Sequence, residues 1–353
     1  MKPEFVRAGL RSLATPVLTP LERLADLPPA ARQLVTAGVL RLADSKMLIE
    51  DPLTPFNIAS HPQSATETPA AFGREDRIER IIEQATGQGL KPAFHNLMQE
   101  FAYTLIDVCG NPSQQALVAD WLSRGFVGSY LMTDAGGPGI SDWQTSLRED
   151  GGQLYVRVNK LWAIEAHRAE FLLVVARPQR GFLPLTFLLD PARVATLDRA
   201  PVGQPFLEGH LQLGNVQGEV PVFPEDILKQ GGLAVVNKAL TFARPRFVRA
   251  LMAHLTWLET EGRLLIDETD RSLVQCVVQA ADTICARKSF TRESVDDVLA
   301  TKYLANELLL KLVVSGCVEQ AGDERDLLAF SKMEGSSYRC FLELYSKHKA
   351  RRS

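Results

Sequence analysis

GNPSQQALVADWLSRGFVGSYLMTDAGGPGISDW, residues 110–143, is the stretch where the chain changes from helix to strand. Residues 110–115 make a turn into a helix that ends in ADWLSRG. At Phe126 the pattern switches, and Gly128-Ser129-Tyr130-Leu131-Met132 is a short run with β character. It leads into 133–142, a loop dense in glycine. That loop has the glycine content of a phosphate cradle, but its spacing fits neither standard phosphate motif. By composition it either admits a flat or anionic group close to the backbone or simply connects two strands.

Upstream of this stretch the chain reads as helical. Ile78, Ile81 and Ile82 form one apolar stripe; Phe94, Leu97, Met98, Phe101, Leu105 and Val108 form another. Residues 1–50 read as helical pieces interrupted near Pro16, Pro20 and Pro28-Pro29. Residues 51–73, with four prolines, read as a long loop carrying a solvated His61. Downstream, Asp150-Gly151-Gly152 is a hairpin turn, with Leu154, Val156 and Val158 alternating behind it. Strands are expected at 171–176, 185–189 and 211–223. After Pro224 helices return: 239–258 around a break at Arg244-Pro245, 273–287, and a long one through Val314 that Thr291 can cap.

The order α, then β, then α, without βαβ alternation, argues against a doubly wound nucleotide fold. The expected fold class is α+β multidomain. It has an N-terminal helical domain (1–125), a central antiparallel β-domain (126–224) and a C-terminal helical bundle (225–353).

The 353 residues suffice for two or three domains. Apolar residues make up 46% and charged residues 23%, as in an ordinary soluble globular protein. A formal net charge of -3 suggests no nucleic-acid or acidic-membrane surface. Five scattered cysteines without a CxxC pair read as reduced core thiols of a cytoplasmic protein. No apolar run reaches a membrane span, and the N-terminus lacks a secretory core. His95 reads as a structural histidine, and no histidine has a partner at metal-ligand spacing, so no metal is expected.

Near the end, Met333-Glu334-Gly335-Ser336-Ser337 precedes a tail helix with Tyr338, Phe341, Leu342 and Tyr345 at helical spacing. Gly335 gives the backbone a free turn, and either serine can cap the helix. A carboxylate at such a break is ordinarily solvated. If it points into a cleft, burial moves its pKa toward that of a general base.

Taken together, these segments resemble the acyl-CoA dehydrogenase flavoprotein family. Residues 110–143 resemble that family's turn, helix, strand and T-E-P-x-A-G-S-D loop. DGGQLYVRVNKLWAI (150–164) resembles its N-G-x-K-x-W-I-T segment. Arg244-Pro245 falls where its first C-terminal-domain helix starts. RDLLAFSKMEG matches its R-D-A-x-x-x-x-x-x-E-G in register, nine positions from Arg325 to Glu334. The resemblance covers about residues 90–350.

The resemblance implies FAD-dependent α,β-dehydrogenation of an acyl thioester, on coenzyme A or a carrier protein, in specialised metabolism. Glu334 is placed as the base that takes the α-proton while the β-hydrogen leaves as hydride to the flavin. Tyr130, Met132, Thr133 and Trp162 are placed against the flavin, and Ser141 and Gly335 against the substrate. Read alone, Trp162 is a core aromatic. A homodimer and electron-transferring flavoprotein are the implied partners, with oxygen as an alternative electron sink.

The sequence departs from the pattern in several places. Asp134-Ala135 stands for Glu-Pro, and Ile164 stands for the threonine near flavin N5. LETEG (258–262) stands for the R-x-x-F-G whose Arg reaches the flavin pyrophosphate, with Arg263 the nearest substitute. Losing two or three such contacts, at about 1–3 kcal/mol each, weakens FAD binding by several kcal/mol. The alternative is therefore a non-redox relative without FAD. It would abstract a proton for isomerisation, elimination or cyclisation, or only bind an acyl chain or partner.

Overall fold

The computed structural model describes residues 73–137, 140–178, 184–228, 233–287 and 294–350. The expected pieces at 1–50, most of the 51–73 loop with His61, Pro138-Gly139 and the Thr291 cap lie outside the described residues. Chain contacts divide the molecule into two compact units. Among the described residues, one unit holds 73–84 and 90–240, and the other holds 85–89 and the residues from 241 onward.

The described chain opens with α1 (Arg74–Gln88), whose residues from 85 onward fall in the other unit; α2 (Phe94–Cys109) and α3 (Pro112–Ser123) follow in the first. Asn111 starts α3 through a reciprocal capping box. Its Oδ1 accepts from the Gln114 amide at 3.0 Å, and Gln114 Oε1 accepts from the Asn111 amide at 2.9 Å. The strands follow: β1 (Gly128–Leu131), β2 (Ser146–Asp150), β3 (Gln153–Ile164), β4 (Phe171–Ala176), β5 (Leu185–Leu189), β6 (Asp198–Phe206) and β7 (Leu211–Val222). A one-turn helix, α4 (Pro191–Val194), lies between β5 and β6.

They form two sheets, ordered β1-β4-β5 and β2-β3-β7-β6. The expected antiparallel pairing holds throughout except between β1 and β4, which run parallel. Strand β6 is not among the expected strands, and β2 is implied only by the hairpin turn at Asp150-Gly151-Gly152. Most of their residues stay partly or fully exposed, so neither carries an apolar alternation that sequence could show.

Strand β4 is buried at every residue because both its faces are covered. Leu172, Val174 and Ala176 pack with Leu131, Phe187 and the four-stranded sheet's Val156, Val158, Val216 and Val220. Phe171 and Leu173 turn the other way, onto Leu105, Ile106 and Trp121 of α2 and α3. Each buried aliphatic or aromatic side chain contributes about 1.5–3 kcal/mol, so this double-faced strand is the anchor of the unit.

The boundary between the units falls inside α5 (Leu233–Thr260). The expected break at Arg244-Pro245 does not end the helix: α5 continues past Pro245 to Thr260. Proline forfeits one backbone hydrogen bond, and the buried flank Phe247, Val248, Leu251 and Leu255 holds the helix through that loss. The second unit continues with α6 (Glu268–Cys285), α7 (Ser294–Val314), α8 (Ala321–Phe330) and α9 (Ser337–Ala350). In α9 Cys340 and Leu344 are buried, packed on Val295, Leu299 and Tyr303 of α7. Tyr338 and Tyr345 of the expected stripe are 67% and 38% exposed. Helical spacing marks a shared face without saying whether that face is the inward one.

Candidate active site

Helix α8 ends at Phe330, and the chain turns through 331–335 before α9 begins. Glu334 sits in this turn with φ 55°, the left-handed region that glycine occupies freely and glutamate does not. Gly335 follows at φ 113°. A Cβ at Gly335 would stand 3.3 Å from both Arg244 Nη2 and Cys340 Sγ, so the position is closed to larger residues. Ser336 caps α9 as expected, its Oγ accepting from the Arg339 amide at 3.3 Å.

Three buried side chains fix the turn. Arg244 of α5 donates from Nε to the Glu334 carbonyl at 2.7 Å. Asn306 of α7 donates from Nδ2 to the Gly335 carbonyl at 2.9 Å. One helical turn earlier, Lys302 donates to Asn306 Oδ1 and to the Phe330 carbonyl at 3.4 Å. Its ammonium also lies 5.1 Å from the Phe247 ring centroid. Lys302 and Asn306 are fully buried, and Arg244 is nearly so. Glu334 keeps some surface exposure, yet its carboxyl is densely surrounded. Burial raises its pKa, while Arg244 and Lys302 pull it back. A buried carboxylate with a raised pKa, on a strained but pinned backbone, has attributes of a general base.

The first unit holds the other group of residues that the sequence singles out. Tyr130 and Met132 are half-buried at the end of β1, with the Tyr130 hydroxyl 3.4 Å from Met132 Sδ. Thr133 is exposed, and its carbonyl accepts from the Leu161 amide at 3.0 Å. That bond sets the end of β1 beside an irregularity in β3 between Lys160 and Ala163, where Trp162 lies. Trp162 is not the core aromatic it would be if read alone. It is 58% exposed, has φ 53°, and its amide donates to Asn215 Oδ1 at 3.2 Å. Inward packing is prevented because the bulge turns its side chain off the alternation of β3.

Behind this shelf lies a buried pair that sequence reasoning missed. Asp134 accepts from the amides of Gly136 (2.9 Å), Gln144 (2.7 Å) and Thr145 (3.0 Å). Lys160 closes the cluster, with Nζ 3.3 Å from Asp134 Oδ2, 3.0 Å from the Met132 carbonyl and 4.5 Å from the Trp143 ring centroid. Both side chains are fully buried. Burial works to raise the Asp134 pKa, but the hydrogen bonds and Lys160 bring it below its usual value. Burial lowers that of Lys160 to about 8 against the pull of Asp134.

The loop's glycine has an internal reason at Gly136, where a Cβ would fall 1.8 Å from the Asp142 carbonyl. The close approach there is the loop's own backbone. Ser141 is exposed beyond it, bonded to Asp142 Oδ1 at 3.2 Å.

The shelf suits one part of a flavin. An exposed indole at Trp162, an exposed Thr133 and a half-buried Met132, on backbone joined by the Leu161–Thr133 bond, are groups that could meet a flat heteroaromatic ring. The phosphate end finds less. Arg263 is bound to Asp323 at 2.9 and 2.6 Å and lies 5.0 Å from the Trp257 ring centroid, so its guanidinium is committed within its own unit. Ile164 offers no hydroxyl. Among the described residues no cluster of His, Cys, Asp or Glu could hold a metal ion, and no helix is long and apolar enough to cross a membrane.

No family model and no curated protein matches the sequence. Solved structures do. Butyryl-CoA dehydrogenase from Megasphaera elsdenii is similar with a TM-score of 0.62 at 14% identity, over 78% of this chain and 81% of that one. A glutaryl-CoA dehydrogenase from Mycobacterium smegmatis in complex with FADH2 has a TM-score of 0.59 at 14% identity, over 99% and 95%. The prolyl acyl carrier protein oxidase AnaB has a TM-score of 0.59 at 12% identity, over 98% and 97%. The chain has the acyl-CoA dehydrogenase fold, at a sequence distance where only the fold is shared with certainty.

Proposed function

We propose that this chain is a divergent acyl-CoA dehydrogenase-like enzyme that acts on an acyl thioester, with Glu334 as the α-proton base. The observation that carries this reading is the state of Glu334: a carboxylate in a left-handed turn, raised in pKa by burial, its backbone pinned by Arg244 and Asn306. The α-hydrogen of a thioester is weakly acidic, and a base in a water-poor setting removes it far better than a solvated one. The Gly335 amide is assigned to the thioester oxygen, and Ser141 to the substrate handle.

FAD, when bound, accepts the β-hydrogen as hydride. Tyr130, Met132, Thr133 and Trp162 are the residues assigned to its ring. Similar structures are named for a coenzyme A thioester and for a prolyl carrier protein, and either handle suits a base that needs only the α-carbon. The reading carries with it the divisions at 125/126 and 224/225, a cytoplasmic homodimer in specialised metabolism, and electron-transferring flavoprotein or oxygen as acceptor.

A non-redox relative is the second reading. It is favoured by the Arg263–Asp323 pair and by Ile164, which together leave fewer contacts for FAD. The purified protein separates the two. Bound flavin that bleaches on adding an acyl thioester supports the first, and a colourless protein that takes up no FAD eliminates it. In either enzymatic case Glu334→Gln is expected to reduce α-proton exchange in deuterated water by about a hundredfold or more. Unchanged exchange removes Glu334 as the base.

A further inference from the structure

Lys302 is a cation in the interior of the second unit. It is wholly buried in the apolar stretch of α7, and none of its contacts above is an ion pair: it meets an amide oxygen, a carbonyl and an aromatic face. A lysine kept in such a place costs stability unless it serves another group. Both of its hydrogen bonds lead to the Glu334 turn. Its bond to Asn306 Oδ1 leaves the Asn306 NH2 directed to the Gly335 carbonyl, and its bond to Phe330 holds the last residue of α8.

We propose that Lys302 is a positioning residue for Glu334. Through Asn306 it fixes the orientation of the Glu334-Gly335 turn, and its charge favours the ionised carboxylate. The inference rests on the reading of Glu334 as the base.

The charged and titratable groups around Lys302 are Arg244 on α5, Glu334 in the turn and Cys340 on α9. Arg244 repels the ammonium, while Glu334 and Cys340 favour it. Burial is the larger influence and lowers the Lys302 pKa to about 7. The positive charge beside Glu334 is therefore present below neutrality and lost above it.

The test is the pH dependence of α-proton exchange into an acyl thioester, measured for the holoprotein and for Lys302→Met. Removal of the ammonium is expected to move the acid limb upward by about one unit or more, and loss of the bond to Asn306 to lower the alkaline plateau as well. KM should be unaltered. A folded Lys302→Met protein with a lower Tm but an unmoved pH profile overturns the proposal, because a merely structural lysine would behave that way. If Lys302→Met does not fold, Asn306→Leu takes its place, and loss of kcat without change in KM is the supporting result. Unchanged kcat there counts against the proposal. If the parent protein exchanges no α-proton, the base assignment fails, and the positioning role is then judged from the crystal structure of either variant. A Glu334 still at positive φ with the turn unmoved overturns it, and a relaxed turn supports it.

Discussion

Trp162 and Glu334 share a property that their chemistry does not require. Each is a non-glycine residue in the left-handed region, with Glu165, Leu207 and Glu208 the others among the described residues. Such backbone costs on the order of 1 kcal/mol per residue and persists only where neighbours enforce it. At Glu334 the enforcing groups are Arg244 and Asn306; at Trp162 one is Asn215. Because Trp162 is largely exposed, Trp162→Ala should change folding stability by no more than about 0.5 kcal/mol. Under the proposed assignment of Trp162 to the flavin ring, the same change should weaken FAD binding several-fold to about tenfold, read by flavin fluorescence titration. Lys160 behaves oppositely. Lys160→Met leaves Asp134 buried without its cation and is expected to cost about 3–5 kcal/mol in urea unfolding. The exposure of Trp162 was not legible in the sequence, since it depends on a bulge that only strand pairing reveals; Lys160 follows the inward alternation of Val156 and Val158, and only the fold shows that Asp134 meets it there.

At the scale of elements, the helix starts and the hairpin were legible because their causes are local. Asn111 and Gln114 satisfy one another's backbone within four residues. Asn111→Ala should therefore destabilise α3 and the first unit by about 1 kcal/mol, visible as a lower Tm. Gly151 and Gly152 take φ 58° and 82° in the β2–β3 turn, as the pair predicted. Pro245 misled because a local rule was overridden by burial along α5. The spacing of Tyr338, Phe341, Leu342 and Tyr345 marked α9 as a helix, but periodicity does not choose between core and solvent.

For the whole molecule, acid stability offers a measurement independent of ligand. His254 is buried, stacked on Trp257 at 5.4 Å and edge-on to Phe330 at 6.0 Å. Burial, aided by repulsion from Arg263, lowers its pKa to about 4. The unfolded chain takes up this proton below about 6.5, and the folded protein does so only near 4. Stability should thus fall by about 3 kcal/mol as pH drops through that window, and be unaffected by this group above it. His254→Leu should flatten the dependence in chemical denaturation at pH 7 and 4.5. An unchanged slope assigns the acid sensitivity elsewhere.

The sequence alone determined the α-β-α order, the helix caps, the hairpin and the register that singles out Glu334. All of these follow from neighbours a few residues apart or from a spacing preserved along the chain. The tertiary structure decided what surrounds Glu334. Arg244, Lys302 and Asn306 lie 90, 32 and 28 positions before it, and α5 and α7 bring them to the turn. A carboxylate's pKa depends on burial and on charges nearby in space. Residue order supplies neither until the helices have packed.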